Sequence, residues 1–150
     1  MADDIAKVKS LRDTTGLSFG EIKKALDEAG GDEAKALELL KSRGGAMAAK
    51  KSAREVNDGV VEAYIHSTRK VGALIELLCE TDFVAKNVEF RDLAKDIAMQ
   101  AAAMKPETPQ ELLAQPFIKD GSITVQDLIN AAVAKLGENI QLGQVMVFAI

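Results

Sequence analysis

The chain has 150 residues, enough for one ordinary domain or for a small domain with a modest second unit. Its composition is 47% hydrophobic and 28% charged, which excludes a disordered chain and a membrane bundle, and a net charge of −4 excludes the basic footprint usual in a nucleic-acid binder. One Cys and one His exclude an internal disulfide framework and a Cys-based zinc site and leave little for hydrolytic or metal chemistry, so the chain reads as a protein that acts by binding and not as an enzyme.

The first 45 residues predict three short helices. Ile5, Val8 and Leu11 recur at helical spacing until Thr14-Thr15-Gly16 stops the run. Ser18 opens the next helix with Glu21 three residues on, a capping box in which each side chain satisfies an orphan backbone donor. Leu17 and Ile22 flank it in hydrophobic-staple positions, and Ala25, Leu26 and Ala29 continue its apolar face. Gly30-Gly31 breaks the chain, Asp32 caps the third helix, and that helix, with Ala36, Leu37 and Leu40 inward, is expected to end at Gly44-Gly45. Three helices of this size share only a small core, and the pattern resembles the ubiquitin-associated (UBA-like) three-helix fold. Residues 46–56, with Lys50, Lys51 and Arg54, read as a helical or flexible linker. The expected organisation is a UBA-like unit over 1–45, a linker over 46–56 and a second unit over 57–150.

In the second unit the period changes. Val60 to His66 suits a strand, and Val71 to Cys79 alternates with Val71, Ala73, Ile75, Leu77 and Cys79 on one face. The intervening His66–Lys70 turn predicts an antiparallel hairpin. A helix from about Asn87 to Met104 buries Phe90, Leu93, Ala94, Ile97, Ala98 and Ala101, and Pro106 ends it. Thr108-Pro109 starts a one-turn helix that Pro116 limits. Thr124 caps a last helix with Leu128, Ile129, Ala132, Val133 and Leu136 inward, stopped by Gly137, and Gln144 to Ile150 suits a third strand. The fold class is α+β: helices packed on a small antiparallel sheet.

The sequence carries no phosphate-binding glycine loop, dinucleotide fingerprint, HExxH or CxxC. Cys79 with His66 and Asp82 invites a nucleophile reading. The apolar strand face around Cys79 favours a buried structural thiol instead, and His66 suits a surface position. The basic cluster at 50–54 reads as a solvated linker. The Met-Ala-Asp-Asp start lacks the features of a secretory or transit signal, no run nears the roughly 18 apolar residues of a membrane span, and a reduced cytoplasm suits the lone thiol. The exception to these bland readings is Thr81-Asp82-Phe83-Val84-Ala85. Thr-Asp is ordinary helix-start chemistry. Phe83, one of only five Phe, falls at a strand-to-helix corner. Pattern alone leaves two readings of equal weight: a ring folded into the core, or an exposed aromatic anchor beside a carboxylate, the make-up of an interface hot spot.

Several blocks, in order along nearly the whole chain, resemble the elongation factor Ts (EF-Ts) family. They are Leu11-Arg12-Asp13-Thr14-Thr15-Gly16 followed by Ile22-Lys23-Lys24-Ala25-Leu26, the linker Gly45-Ala46-Met47-Ala48-Ala49-Lys50-Lys51, and the stretch Glu76 to Ala85 containing TDFVA. Gln115-Pro116-Phe117-Ile118-Lys119-Asp120 and Leu136-Gly137-Glu138-Asn139-Ile140 complete the set. The resemblance implies a cytoplasmic guanine-nucleotide exchange factor for the translation GTPase EF-Tu, with no cofactor or metal of its own and no direct contact with nucleic acid or membrane. It implies that Thr81, Asp82, Phe83 and Val84 form a tip that enters the GTPase near its Mg²⁺ and phosphate loop. In that scheme Phe83 is the wedge, Asp82 lies by the Mg²⁺ region, and Thr81 and Val84 hold the tip. It also implies docking by the N-terminal helices through Leu11, Arg12, Phe19, Gly20 and Lys23. The chain departs from the family pattern in three places. It has room for one core module only, with no coiled-coil insertion between Met104 and Gln115, and single-core members imply a homodimer. Leu17-Ser18-Phe19-Gly20 replaces small-Gly-Met-Met. The last strand lacks the family's arginines and is more apolar. The readings that compete with exchange are a UBA-like polypeptide-binding adaptor and a Cys79-dependent enzyme.

Overall fold

The computed structural model describes residues 2–150, so Met1, where the signal reading begins, lies outside the described residues. Helices α1 (Ala2–Thr15), α2 (Phe19–Glu28) and α3 (Glu33–Lys51) form the N-terminal unit. Local chemistry sets their ends. Gly16 takes a left-handed φ of 67° after α1. The Ser18–Glu21 capping box is made in both directions, and Asp32 accepts from the Lys35 amide at 3.1 Å. Val8, Leu11, Leu17, Ile22, Ala25, Leu26, Ala36 and Leu40 form the small shared core.

The expected end of α3 at Gly44-Gly45 is corrected: the helix runs unbroken to Lys51, so the first half of the linker is helical. Two glycines in a helix interior cost about 1 kcal/mol each relative to Ala. Here they let α3 run close against a later helix. Gly44 is buried, and the Asn130 carbonyl oxygen lies 3.6 Å from where a Cβ would stand. Packing overrides the local stop signal.

Strands β1 (Asp58–Ile65) and β2 (Val71–Cys79) pair antiparallel from Asp58↔Cys79 to Ile65↔Gly72. The turn places Arg69 at a φ of 60° and closes with a His66 N–H to Val71 carbonyl bond of 2.9 Å. After a one-turn helix α4 (Asp82–Ala85) comes the long α5 (Val88–Met104), capped by Asn87 and ended by Lys105 in the left-handed region. Helix α6 (Pro109–Ala114) starts on Thr108 with Pro at its first turn. A short hairpin of β3 (Pro116–Phe117) and β4 (Asp120–Thr124), absent from the sequence reading, leads into α7 (Val125–Leu136). The buried Gln100 holds that hairpin: its amide donates to the Pro116 carbonyl at 3.0 Å and accepts from the Ile118 N–H at 2.9 Å. Thr124 and Asp127 make a reciprocal capping box, and Gly137 ends α7 at a φ of 78°. Strand β5 (Gln141–Ala149) begins three residues before the expected Gln144.

The sheet order is β1-β2-β5, with β2 central and both neighbours antiparallel to it. One face of β2 (Ala73, Ile75, Leu77, Cys79) packs with Phe90, Ala94, Ile97, Ala98 and Ala101 of α5 and Ile129 and Val133 of α7. This is the α+β core expected from the alternation. The helical unit joins it through α3 and α7: Ala48 packs on the α+β core and Ala134 on the helical one. Among the described residues no helix is long and apolar enough to cross a membrane. Leu77 has no exposed surface, so Leu77→Ala is expected to cost about 2–5 kcal/mol of unfolding free energy in urea titration. A loss below about 1 kcal/mol would place the weight of the core elsewhere.

Candidate protein-interaction site at the strand-to-helix corner

Where β2 ends, the chain turns through Glu80 and Thr81 into the single turn of α4. In one helical turn successive side chains lie about 100° apart, so the four residues divide. Val84 and Ala85 are buried in the core, while Asp82 and Phe83 face water. Phe83 is 83% exposed, against 0% for Phe90 and 6% for Phe117. The structure thus decides between the two readings of this ring: it is an exposed aromatic beside a carboxylate. Lys86 bonds Asp82 at 2.9 Å, and this bond and the ammonium's charge hold the Asp82 carboxyl below the ordinary carboxylate range.

Thr81 stands at the N-cap of α4, yet its hydroxyl does not cap the helix. It donates instead to the Glu138 carboxylate at 2.6 Å. The other oxygen of that carboxylate accepts the Thr81 and Glu80 amides at 3.1 and 3.2 Å. In return, Glu80 accepts the Asn139 amide at 2.8 Å. The buried Asn139 side chain donates to the carbonyls of Arg54, at 2.7 Å, and Ser52, at 3.5 Å. Lys51 reaches the Gly137 carbonyl at 2.8 Å, and Arg54 pairs with Glu80 at 3.5 Å. Two of the three basic linker residues are therefore engaged within the chain. Sequence reasoning noted Glu138 and Asn139 only as part of a family block. The one local signal was Gly137, which marks a helix end but no partner.

The Cys79 thiol donates to the Thr81 carbonyl at 3.2 Å and has no exposed surface. Burial, then the charges of Glu138 and Asp58, pushes its pKa to about 11, so it stays a protonated thiol at neutral pH. His66 lies at the opposite end of β2, exposed and bonded to the Tyr64 hydroxyl at 3.0 Å. The nucleophile reading is overturned: His66 lies opposite Val71, about 26 Å from Cys79 along the strand, and Asp82 is paired with Lys86. Among the described residues no three His, Cys, Asp or Glu side chains form a group that could hold a metal.

At the helical unit, Arg12, Phe19, Gly20 and Lys23 are exposed as a docking surface requires. Leu11 is not: at 4% exposed it belongs to the small core and supports that surface from beneath. Phe19, 54% exposed, lines a shallow groove with Ile5, Val8, Lys23 and Leu26. A second apolar surface went unread in the sequence. The face of the sheet turned away from the helices carries Val61, Ile65, Leu74, Met146 and Phe148, all exposed. They lie in register across the strands as Ile65–Gly72–Phe148 and Ala63–Leu74–Met146.

The family model described as Elongation factor TS matches residues 80–150. Over a longer span the chain is 42% identical to elongation factor Ts of Carboxydothermus hydrogenoformans, covering 95% of this chain and 87% of that protein. It is 43% identical to the Desulforamulus reducens protein of that name (90% and 83% covered) and 38% identical to that of Rubrobacter xylanophilus (93% and 95% covered). The alignments extend over 180–188 positions against 150 residues here, so these relatives carry residues with no counterpart in this chain.

The burial of Cys79 has a measurable consequence. Its pKa rises from 9.0 unfolded to about 11 folded. Between those values the native state keeps a proton that the unfolded chain releases, so this contribution is complete below pH 9 and is lost as pH rises through 11. A rise from 9.0 to about 11 corresponds to about 2–3 kcal/mol. Urea titrations at pH 8 and pH 11 are expected to show the wild type losing that much more than Cys79→Ala. Equal losses would contradict the assignment.

Proposed function

The chain belongs to the elongation factor Ts family, and on that premise we propose that it is a translation elongation factor that promotes nucleotide exchange on EF-Tu. It binds EF-Tu·GDP in the cytoplasm, disturbs the Mg²⁺ and phosphate-loop site and speeds GDP release. The observation that carries the reading is Phe83: a ring kept in water beside Asp82 on a braced single turn, at the TDFV positions that the resemblance assigns to the tip. Phe83 is the wedge that repacks the GTPase around its Mg²⁺ site, and Asp82 brings negative charge to the phosphate region. Thr81 and Val84 hold the tip from the protein side. Arg12, Phe19, Gly20 and Lys23 dock the helical unit, which we take to be UBA-like, on a second part of the GTPase. The logic is linkage: a factor that binds the nucleotide-free GTPase more tightly weakens nucleotide binding in the same ratio, and GTP displaces the factor by the same route. The protein makes and breaks no covalent bond.

Release of a fluorescent GDP from EF-Tu is expected to accelerate with added protein. Phe83→Ala should lower that acceleration about tenfold or more, as loss of a central aromatic anchor does. The same substitution should shift the urea midpoint negligibly, because the ring contributes little to the folded state. No acceleration by the wild type would refute the exchange reading and favour the polypeptide-binding adaptor.

We further infer that two copies associate through the outer sheet face. Val61, Ile65, Leu74, Met146 and Phe148 are exposed around a single acidic side chain, Glu76. A two-fold axis through this face would bring the same apolar side chains of two copies together and remove them from water. Sedimentation equilibrium is expected to give twice the 16.0 kDa chain mass, and Phe148→Lys to return it to one chain. A wild type of single-chain mass at tens of micromolar would rule the dimer out.

A further inference from the structure

We propose that Glu138, 57 residues from Thr81 in sequence, is a positioning residue that fixes the direction in which the Asp82–Phe83 tip projects. The inference rests on the exchange reading above and extends it to a residue outside the tip.

Phe83 gains almost nothing from its own packing, because most of its surface is in water. Its direction must therefore come from the backbone that carries it. Downstream, Val84 and Ala85 are buried and anchor one side of the turn. Upstream the nearest buried side chain is Cys79, whose thiol reaches the Thr81 carbonyl at 3.2 Å but leaves the Thr81 hydroxyl and the Glu80 and Thr81 amides to be held from elsewhere. Thr81 is only partly buried, and its hydroxyl forgoes the helix cap it is placed to make. One carboxylate takes over: Glu138 accepts the Thr81 hydroxyl and the Thr81 and Glu80 amides. Three donors on one charged acceptor fix both the position and the rotation of the peptide entering α4.

Glu138 is itself held on both sides. Gly137 precedes it in the left-handed conformation that ends α7. Asn139 follows, its amide held by Glu80 and its side chain by the linker carbonyls. The Glu80–Asn139 and Thr81–Glu138 bonds cross between the two turns, so neither turn can rotate without breaking a bond to the other. None of these groups belongs to the buried apolar core around Leu77, Phe90 and Ile97. Loss of the brace is expected to free the tip while leaving that core intact. A wedge that must enter a partner acts less often in the right geometry when it swings.

The test is stopped-flow release of fluorescent GDP from EF-Tu over a range of concentrations, with the 150-residue wild type, Glu138→Gln, Phe83→Ala and the double variant. Gln keeps the size and one acceptor but presents an amide NH₂ to the Thr81 hydroxyl and removes the charge. Glu138→Gln is expected to lower the maximal release rate about tenfold, the size of effect of losing a charged hydrogen bond. The concentration giving half that rate should hardly move. In the Phe83→Ala background the same change should add less than about twofold, because the two residues act through one another. An unchanged maximal rate, or an equal loss in both backgrounds, overturns the proposal. If Glu138→Gln fails to fold, Thr81→Val removes one donor and keeps both amide bonds. It should then lower the maximal rate about threefold, and no effect overturns the proposal. A wild type that leaves GDP release unchanged ends the exchange reading and the brace with it. An active wild type beside an equally active Glu138→Gln ends the brace alone.

Discussion

Burial of one face of β2 against α5 is the constraint on which the rest of the molecule depends. Ala73, Ile75, Leu77 and Cys79 stand on alternate positions of a central strand, so the register of both neighbouring strands follows from keeping that face inward. A one-residue slip would turn Leu77 to water and Leu78 to the core. Gly59 reports how closely the register is held: a Cβ there would stand 2.4 Å from the Leu77 carbonyl oxygen, so β1 meets β2 at this point only as glycine. With helices on one side only, the same alternation leaves the opposite face bare and apolar. The inner and outer surfaces of the sheet are thus two results of one pattern.

The position of the corner follows from that strand as well. Cys79 is the last buried residue of β2, and its thiol already reaches the carbonyl of Thr81. From there the chain has two residues in which to reverse toward α5. The single turn of α4 does this by burying Val84 and Ala85 and leaving Asp82 and Phe83 outside. An exposed Phe is costly in water, and the fold does not relieve that cost. It supports the ring with polar bonds one residue upstream. Burial and exposure are divided along five residues: apolar packing on one side, hydrogen bonds to a carboxylate on the other, and the exposed ring between them.

Features encoded within four or five residues were legible in the sequence. The Ser18–Glu21 box, the caps at Asp32, Thr108 and Thr124 and the stops at Gly16 and Gly137 depend on neighbours in the chain and appear where the residues predict them. The alternation of β2 was legible for the same reason. Features decided by distant partners were not. Gly44-Gly45 signals a stop, but α7 lies alongside and the helix continues. The β3–β4 hairpin is too short for periodicity, and the buried Gln100 holds it from another element. Phe83 drew attention by its place at a corner, yet its outward direction depends on which residues of α4 find room in the core. Leu11 belongs to a recognisable block, and only the packing shows that it faces inward. The Thr81–Glu138 pairing joins two turns far apart in sequence, and no local pattern could announce it.

The unbroken α3 changes where the molecule divides into modules. A boundary drawn at Gly45 from glycine content would cut through the middle of a 19-residue helix. The piece removed would include Ala48, which packs on the α+β core and not on the helical bundle. The last turn and a half of α3 therefore belongs by continuity to one unit and by packing to the other. The break in regular structure comes only after Lys51, and the segment beyond it is fastened at Ser52 and Arg54 to Asn139. A fragment or a fusion that respects this architecture would be joined between residues 55 and 57, beyond the helix and beyond those two carbonyls. In building terms, the helical unit is not hung on a string but carried on a beam that runs into the wall of its neighbour.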